Sequence, residues 1–270
     1  MHRIRWFVVA GTFWVAALFA AIPPSSCAAE AAGESVSKGP AMDQVLRMAD
    51  FLAHLKQFSV TLDSGYDVVQ ESGQKVEFGE RRRVTIVRPD RLRVDAERSD
   101  GVKVMTAFDG KSVTVFTPQT NMYATAEMAG DIDGAIIHFV KDLHMRMPLA
   151  LMFVTSLPRE LEQRSLSADI VETTSMFGTP CVHIAGRGEN VDFQFWIPAE
   201  GDPLPRKIIL TYKKETGQPQ FWATFSDWNT SPNPPDSLFT LEIPKDAGRI
   251  QFLAEIPRPA KGPARKGGAK

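Results

Sequence analysis

The 270-residue sequence predicts an α+β protein built on one open, curved antiparallel sheet of about eleven strands. Two long runs of alternating apolar and polar residues, 58–125 and 166–228, are broken repeatedly by Gly, Asp, Asn and Pro, the pattern of short strands joined by tight turns. Between them, residues 131–157 are apolar around most of a helical circumference, which suits helices buried against the sheet. One amphipathic stretch precedes the first run.

The chain begins MHRIR, runs apolar from Trp6 to Ile22 and then reads PPSSCAA, the layout of a secretory signal peptide over residues 1–29. Pro23, Pro24 and the small residues after them favour cleavage after Ala28 or Ala29 over an uncleaved anchor, so no transmembrane span is expected in the mature chain. Lipoprotein anchoring at Cys27 is disfavoured, because Pro24 stands where an aliphatic residue is normally needed. Residues 30–40 are small and polar, a linker, and 41–256 form a single domain. The end, PRPAKGPARKGGAK, carries five cations and no acid and is expected to be a disordered basic tail over 257–270. Setting aside those five and the cations Arg3 and Arg5 takes the formal charge from −1 to −8 for residues 6–256, and an acidic body argues against nucleic acid as partner. Only Cys181 survives cleavage, so no internal disulfide is available and burial must hold the core together.

From Ala41, the apolar residues Val45, Met48, Ala49, Leu52 and Leu55 recur at three and four, giving a helix to about Lys56. The period then becomes two. Phe58, Val60, Leu62, Tyr66 and Val68 mark a first strand; Val76 and Phe78, then Val84 and Ile86, a second; Leu92, Val94 and Ala96 a third; Val102 to Phe108 a fourth. Asp109-Gly110 predicts a type I′ hairpin, in which both central residues take positive φ, before strands at 112–116 and 122–125. In the 131–157 segment, Asp131 and Asp133 suit a helix start and Pro148 the first turn of a second helix, while Lys141, Asp142 and Arg146 exclude a membrane span. These helices cap the sheet or, on a sharper reading, form a movable lid over an apolar cavity. Five more strands come after them, at 166–175, 180–185, 191–197, 204–212 and 220–228.

The stretch VDFQFWIPAEGDPLPRKIIL, residues 191–210, places Val191, Phe193, Phe195 and Ile197 on one face and Asp192, Gln194 and Trp196 on the other. Pro198, Pro203 and Pro205 are expected to end the strand, shape the turn and keep a free edge from recruiting another chain. Trp196, Trp222 and Trp228 all fall in the polar register, either packed under a helix or exposed together as a docking patch.

This order of elements resembles that of the periplasmic lipoprotein carriers LolA and LolB and of the N-terminal domain of the envelope-stress regulator RseB. The phrases VTIVRPDRLRVD, AFDGKSVTVFTPQTNMYAT, FWIPAEGDPLPRKIIL and FSDWN are similar to those of a family of predicted periplasmic proteins of unassigned function placed among these LolA-like folds. The resemblance implies a LolA-like incomplete β-barrel in the periplasm, concave and apolar inside, with its concave face covered by the N-terminal helix and the helical insertion. The implied function is binding or carrying a hydrophobic ligand: a lipid, an acyl chain or a lipidated protein. The residues expected to line the cavity are Phe58, Val60, Leu62, Phe78, Val84, Ile86, Val94, Val104, Ile137, Val140, Met147, Leu151, Phe193 and Phe195. LolA-type carriers latch the lid with an arginine on the sheet, and Arg81, Arg82, Arg83, Arg91 and Arg93 are available here, none of them aligned to that role. Burying roughly fifteen methylenes at about 0.8 kcal/mol each is worth about 12 kcal/mol before ordering costs, so such a protein needs no polar motif.

Chemistry leaves little trace. No HExxH, paired-cysteine spacing, GxSxG or Gly-rich phosphate loop is present, so neither a catalytic role, a metal nor a cofactor is expected. Cys181 and His183 share a strand face, but a half-buried thiol beside a surface histidine explains them better than a nucleophile. The alternative to the binder is an envelope structural or sensory module with a filled core that works on a protein partner.

Overall fold

The alternation in 57–87 folds as a long hairpin, because each apolar residue finds an apolar partner across the strand pair. In the computed structural model, which describes residues 39–143 and 149–252, β1 (Gln57–Val69) pairs with β2 (Lys75–Val87) in one unbroken antiparallel register, Phe58 opposite Ile86 and Val60 opposite Val84. The expected signal peptide, almost all of the linker and the basic tail lie outside the described residues. β3 (Arg91–Arg98), β4 (Lys103–Phe108), β5 (Ser112–Thr117) and β6 (Met122–Glu127) extend the meander on one side. β7 (Ser165–Met176), β8 (Thr179–Gly188), β9 (Val191–Pro198), β10 (Lys207–Tyr212) and β11 (Gln220–Asn229) form a second meander, joined to the first by β11 against β1. The order is β12-β6-β5-β4-β3-β2-β1-β11-β10-β9-β8-β7.

The class is the expected one, α+β with an open sheet. Twelve strands are present, because Gly248–Arg249 (β12) adds in parallel to Met122 and Tyr123 of β6 and makes the sheet mixed. Two residues in a Gly- and Pro-rich stretch carry no alternation to read. Eleven inter-strand gaps would make a flat sheet roughly 50 Å wide. Instead, one core cluster joins residues of β1–β6 and β8–β11 to the helices, so the sheet wraps around them as an incomplete barrel.

α1 (Pro40–His54) opens with Pro at its first turn, where the missing N–H costs nothing, and buries Ala41, Met42, Val45, Met48, Ala49 and Leu52 against the sheet. The insertion is more broken than its composition predicts. α2 (Ile132–Ile137) is capped by the Asp131 side chain accepting from Gly134 N at 2.8 Å, then loosens into a π turn over His138–Asp142. Pro148 lies outside the described residues, and the chain beyond it makes a 3₁₀ turn at Ala150–Phe153 in place of the second helix expected there. A regular helix, α3 (Leu157–Arg164), comes next, with Pro158 in its first turn.

The two-residue turn expected at Asp109-Gly110 is found elsewhere. Gly110 has φ +85° but Asp109 does not join it at positive φ; instead Asp109 Oδ1 accepts from the N–H groups of Lys111 and Ser112, closing a longer loop. The two-residue turn with both φ positive is Phe177-Gly178, at 51° and 78°, between β7 and β8. The 191–210 hairpin is not at an edge either, since β9 pairs with β8 and β10 with β11. Its prolines guard no free rim. β10 begins only at Lys207, and Pro203, Leu204 and Pro205 are buried in the connection.

Candidate functional site

The inner face of the sheet is the candidate site, and cross-strand register determines what reaches it. Phe58, Val60, Leu62, Val84, Ile86, Val94, Phe193 and Phe195 are buried together, with Val60 and Val84 directly opposite each other. Val104 is half-buried and Val140 packs partly against the same cluster. Phe78, Ile137 and Leu151 are exposed, and Met147 lies outside the described residues. Phe78 escapes because the hairpin outruns its cap, and Ile137 and Leu151 because short helical turns cannot keep every apolar side chain inward.

At α2 the cap packs closely on the sheet. Between Leu92, Thr106, Phe108, Ala135, Ile136 and Phe139 the remaining space is about 10 Å³, at the threshold for a single water. Ring contacts continue the packing through the cap: Phe58 meets Phe153 at 5.5 Å and Trp228 at 5.8 Å, and Trp228 stacks on Phe225 at 5.9 Å. Trp228 therefore departs from the expected outer register. A register shift between Ser59 and Thr61, with Asp227 at φ +53°, turns it inward. Trp196 and Trp222 do lie on the outer face, yet not as a joint patch. Trp196 is covered by the His183 ring at 4.0 Å, and Trp222 lies over Gly65 and donates to Glu77 at 2.8 Å.

Toward the β1–β2 turn the inner face changes character. Opposite Leu62 stands Arg82, whose guanidinium meets Glu80 at 2.7 Å with both side chains mostly buried. Beyond it Tyr66 stacks on Phe78 at 5.9 Å, and Phe78 is 41 % exposed. Here the apolar lining gives way to a mostly buried ion pair and then to an aromatic pair of which only Phe78 is exposed. Of the other arginines, Arg81 pairs with Asp63 on the outer face at 2.7 Å, Arg83 is exposed, Arg91 reaches Asp109 O and Arg93 binds Asp95.

The arginine that ties cap to sheet is one the sequence did not single out. Arg88, just beyond the end of β2, donates to Leu55 O after α1 at 3.0 Å and to Phe153 O in the 3₁₀ turn at 2.8 Å, and meets Asp133 of α2 at 3.5 Å. Its side chain is 10 % exposed, and burial draws its pKa down, with Asp133 pushing the other way. Asp133 in turn accepts from the backbone N–H and hydroxyl of Thr155. Arg88 lies outside the alternating strand, beside Pro89, where period says nothing about contacts.

Catalytic geometry does not emerge at the one pair the sequence raised. Cys181 is fully buried and burial pushes its thiol pKa up, which favours the neutral form over a nucleophilic thiolate. His183 shares hydrogen-bonding distance with Gln194, at 3.0 Å. Among the described residues no three His, Cys, Asp or Glu side chains gather as metal ligands, and no helix is long and apolar enough to cross a membrane.

Solved structures of similar shape include the Mycobacterium tuberculosis lipoprotein LppX, with 13% identity over 72% of this chain and 97% of that one at a TM-score of 0.44. LprF from Mycobacterium bovis has 13% identity over 77% and 97% at 0.45, and a LolA superfamily protein from Nitrosomonas europaea 10% over 74% and 97% at 0.35. Such distant likenesses concern shape alone. No curated protein matches the chain. The family model for predicted periplasmic proteins, DUF2092, matches residues 41–253, from the start of α1 to the end of the described chain, and the protein belongs to that family.

Proposed function

We propose that this chain is a non-catalytic periplasmic binder or carrier of a hydrophobic ligand, a lipid, an acyl chain or a lipidated protein, which enters when the helical cap lifts from the sheet. The observation that carries this reading is the cap itself: an apolar trough closed by short, broken helical pieces and tied down through Arg88. An acyl chain entering there replaces one apolar neighbour of the sheet by another, so its net affinity is its burial energy less the cost of opening the cap, and the closed population sets the apparent Kd. The exposed Phe78, stacked on the half-buried Tyr66, offers a first apolar contact. Residues 1–29 act in this reading as the export signal, checked by N-terminal sequencing of the protein from a periplasmic fraction.

The residual space of about 10 Å³ favours a second reading, an envelope interaction module with a permanently filled core. Arg88→Ala separates the two. Losing three partners of a buried guanidinium should cost roughly 3 kcal/mol and lower Tm by about 5–10 °C. For a carrier, the variant should also take up a fluorescent fatty acid faster than the parent protein. If neither protein takes up the probe at any concentration below its micelle point, the carrier reading fails and the filled-core module stands.

A further inference from the structure

The buried trough leaves two stretches of sequence unexplained: the proline-rich β9–β10 connection and the bulge at Asp227. They meet at one end of the β8–β11 strands, where an open cleft of about 460 Å³ lies within the ordinary size of small-ligand sites and far exceeds the space left between Leu92 and Phe139. Its walls carry Glu200, Asp202, Leu204, Arg206, Asp227 and Trp228. The Arg206 Nε is buried and has no hydrogen-bond partner. Among the described residues, Arg206 forms no ion pair although three carboxylates line the same cleft. Buried guanidinium donors are normally satisfied, and carboxylates this close in the chain normally supply the acceptor. The fold keeps them apart. Pro198, Pro203 and Pro205 restrict the connection that carries Glu200 and Asp202, Asp227 is fixed in its left-handed bulge, and the Trp228 indole is pinned by donating to Pro205 O at 3.1 Å.

We propose that this cleft binds a small zwitterion of net positive charge, a basic amino acid or the basic C-terminal residue of a short peptide. The ligand carboxylate takes the Nη groups of Arg206, which unlike the sealed Nε are open to the cleft, its cationic groups meet Glu200, Asp202 and Asp227, and its methylenes lie along Trp228. A planar guanidinium suits a carboxylate, and three neighbouring acids disfavour a phosphate dianion. The cleft shares Leu204 and Trp228 with the core but none of the cap residues, so its occupation is distinct from cap opening.

Calorimetric titration of the purified protein with L-lysine, the tripeptide Gly-Gly-Lys, cadaverine and L-glutamate tests this. L-lysine or the tripeptide should bind in the micromolar to millimolar range, and whichever is tighter identifies the source. Cadaverine, lacking the carboxylate, should bind at least about tenfold more weakly, as should L-glutamate. Arg206→Gln should lose at least about tenfold in affinity without a fall in Tm, and Asp227→Asn several-fold. No heat from L-lysine or the tripeptide up to about 10 mM, or equal binding of cadaverine and L-lysine, overturns the proposal. So does L-lysine binding unchanged by Arg206→Gln; should that variant fail to fold, the cadaverine and L-glutamate comparisons on the parent protein still decide.

Discussion

Arg88 and Cys181 show how little a residue's type says about its work. Both are buried and polar, and burial moves each toward its neutral form, the arginine downward and the thiol upward. For Cys181 the consequence can be measured. The unfolded chain ionises at the ordinary thiol pKa while the folded protein holds the proton, so the stability is intact below that pKa and is lost as pH climbs past it. Urea midpoints between about pH 7 and 10 should fall for the parent and less steeply for Cys181→Ala. Iodoacetamide should label Cys181 only as fast as the molecule opens. The pairing of Cys181 with His183 was legible as a shared strand face; that the thiol is sealed while His183 stacks on Trp196 was not, because cover comes from residues distant in sequence. Arg88 was illegible for a related reason. Its three partners belong to three elements that come together only in the folded molecule.

Strands were more legible than helices, and the physics explains why. Alternation states which side of a strand is wet, so β1 to β11 could be read from single residues such as Phe58, Val84 and Phe195. The insertion is apolar all round, a pattern that gives burial without direction, and so the π turn and 3₁₀ turn within it were not visible. Bulges defeat alternation outright: Trp228 reads as outward-facing and packs inward. The β8–β9 pair adds a device the alternation does not show, a glycine roofed by an aromatic ring. A Cβ on Gly186 would come within 2.0 Å of the Phe193 ring, which lies across it from the neighbouring strand. Gly186→Ala should therefore displace Phe193 and cost about 2 kcal/mol, read as a Tm loss of roughly 5 °C in a thermal melt.

Across the whole molecule the two rims of the sheet are unequal. On one side the chain returns to lay β12 along Met122 and Tyr123, with Phe252 packing on Phe139 just beyond at 5.9 Å. On the other, among the described residues, β7 presents 12 residues with no strand beyond it and with Ile170 and Val171 exposed, relieved by register shifts between Ser165 and Ser167 and between Ile170 and Glu172. Val171→Lys places a charge on that rim and should raise the protein concentration at which light scattering first appears, leaving Tm within about 1 °C. A fatty-acid uptake assay on the same variant should be indifferent to it, since β7 supplies none of the residues expected to line the trough.

The mismatch of rims also limits what misassembly can look like. A twelve-residue border has no matching socket on the six-residue opposite border, two residues of which β12 already pairs, so stacking front to back would leave much of β7 unpaired at every junction. Joined like to like through β7, two copies match in length and use up that border in both.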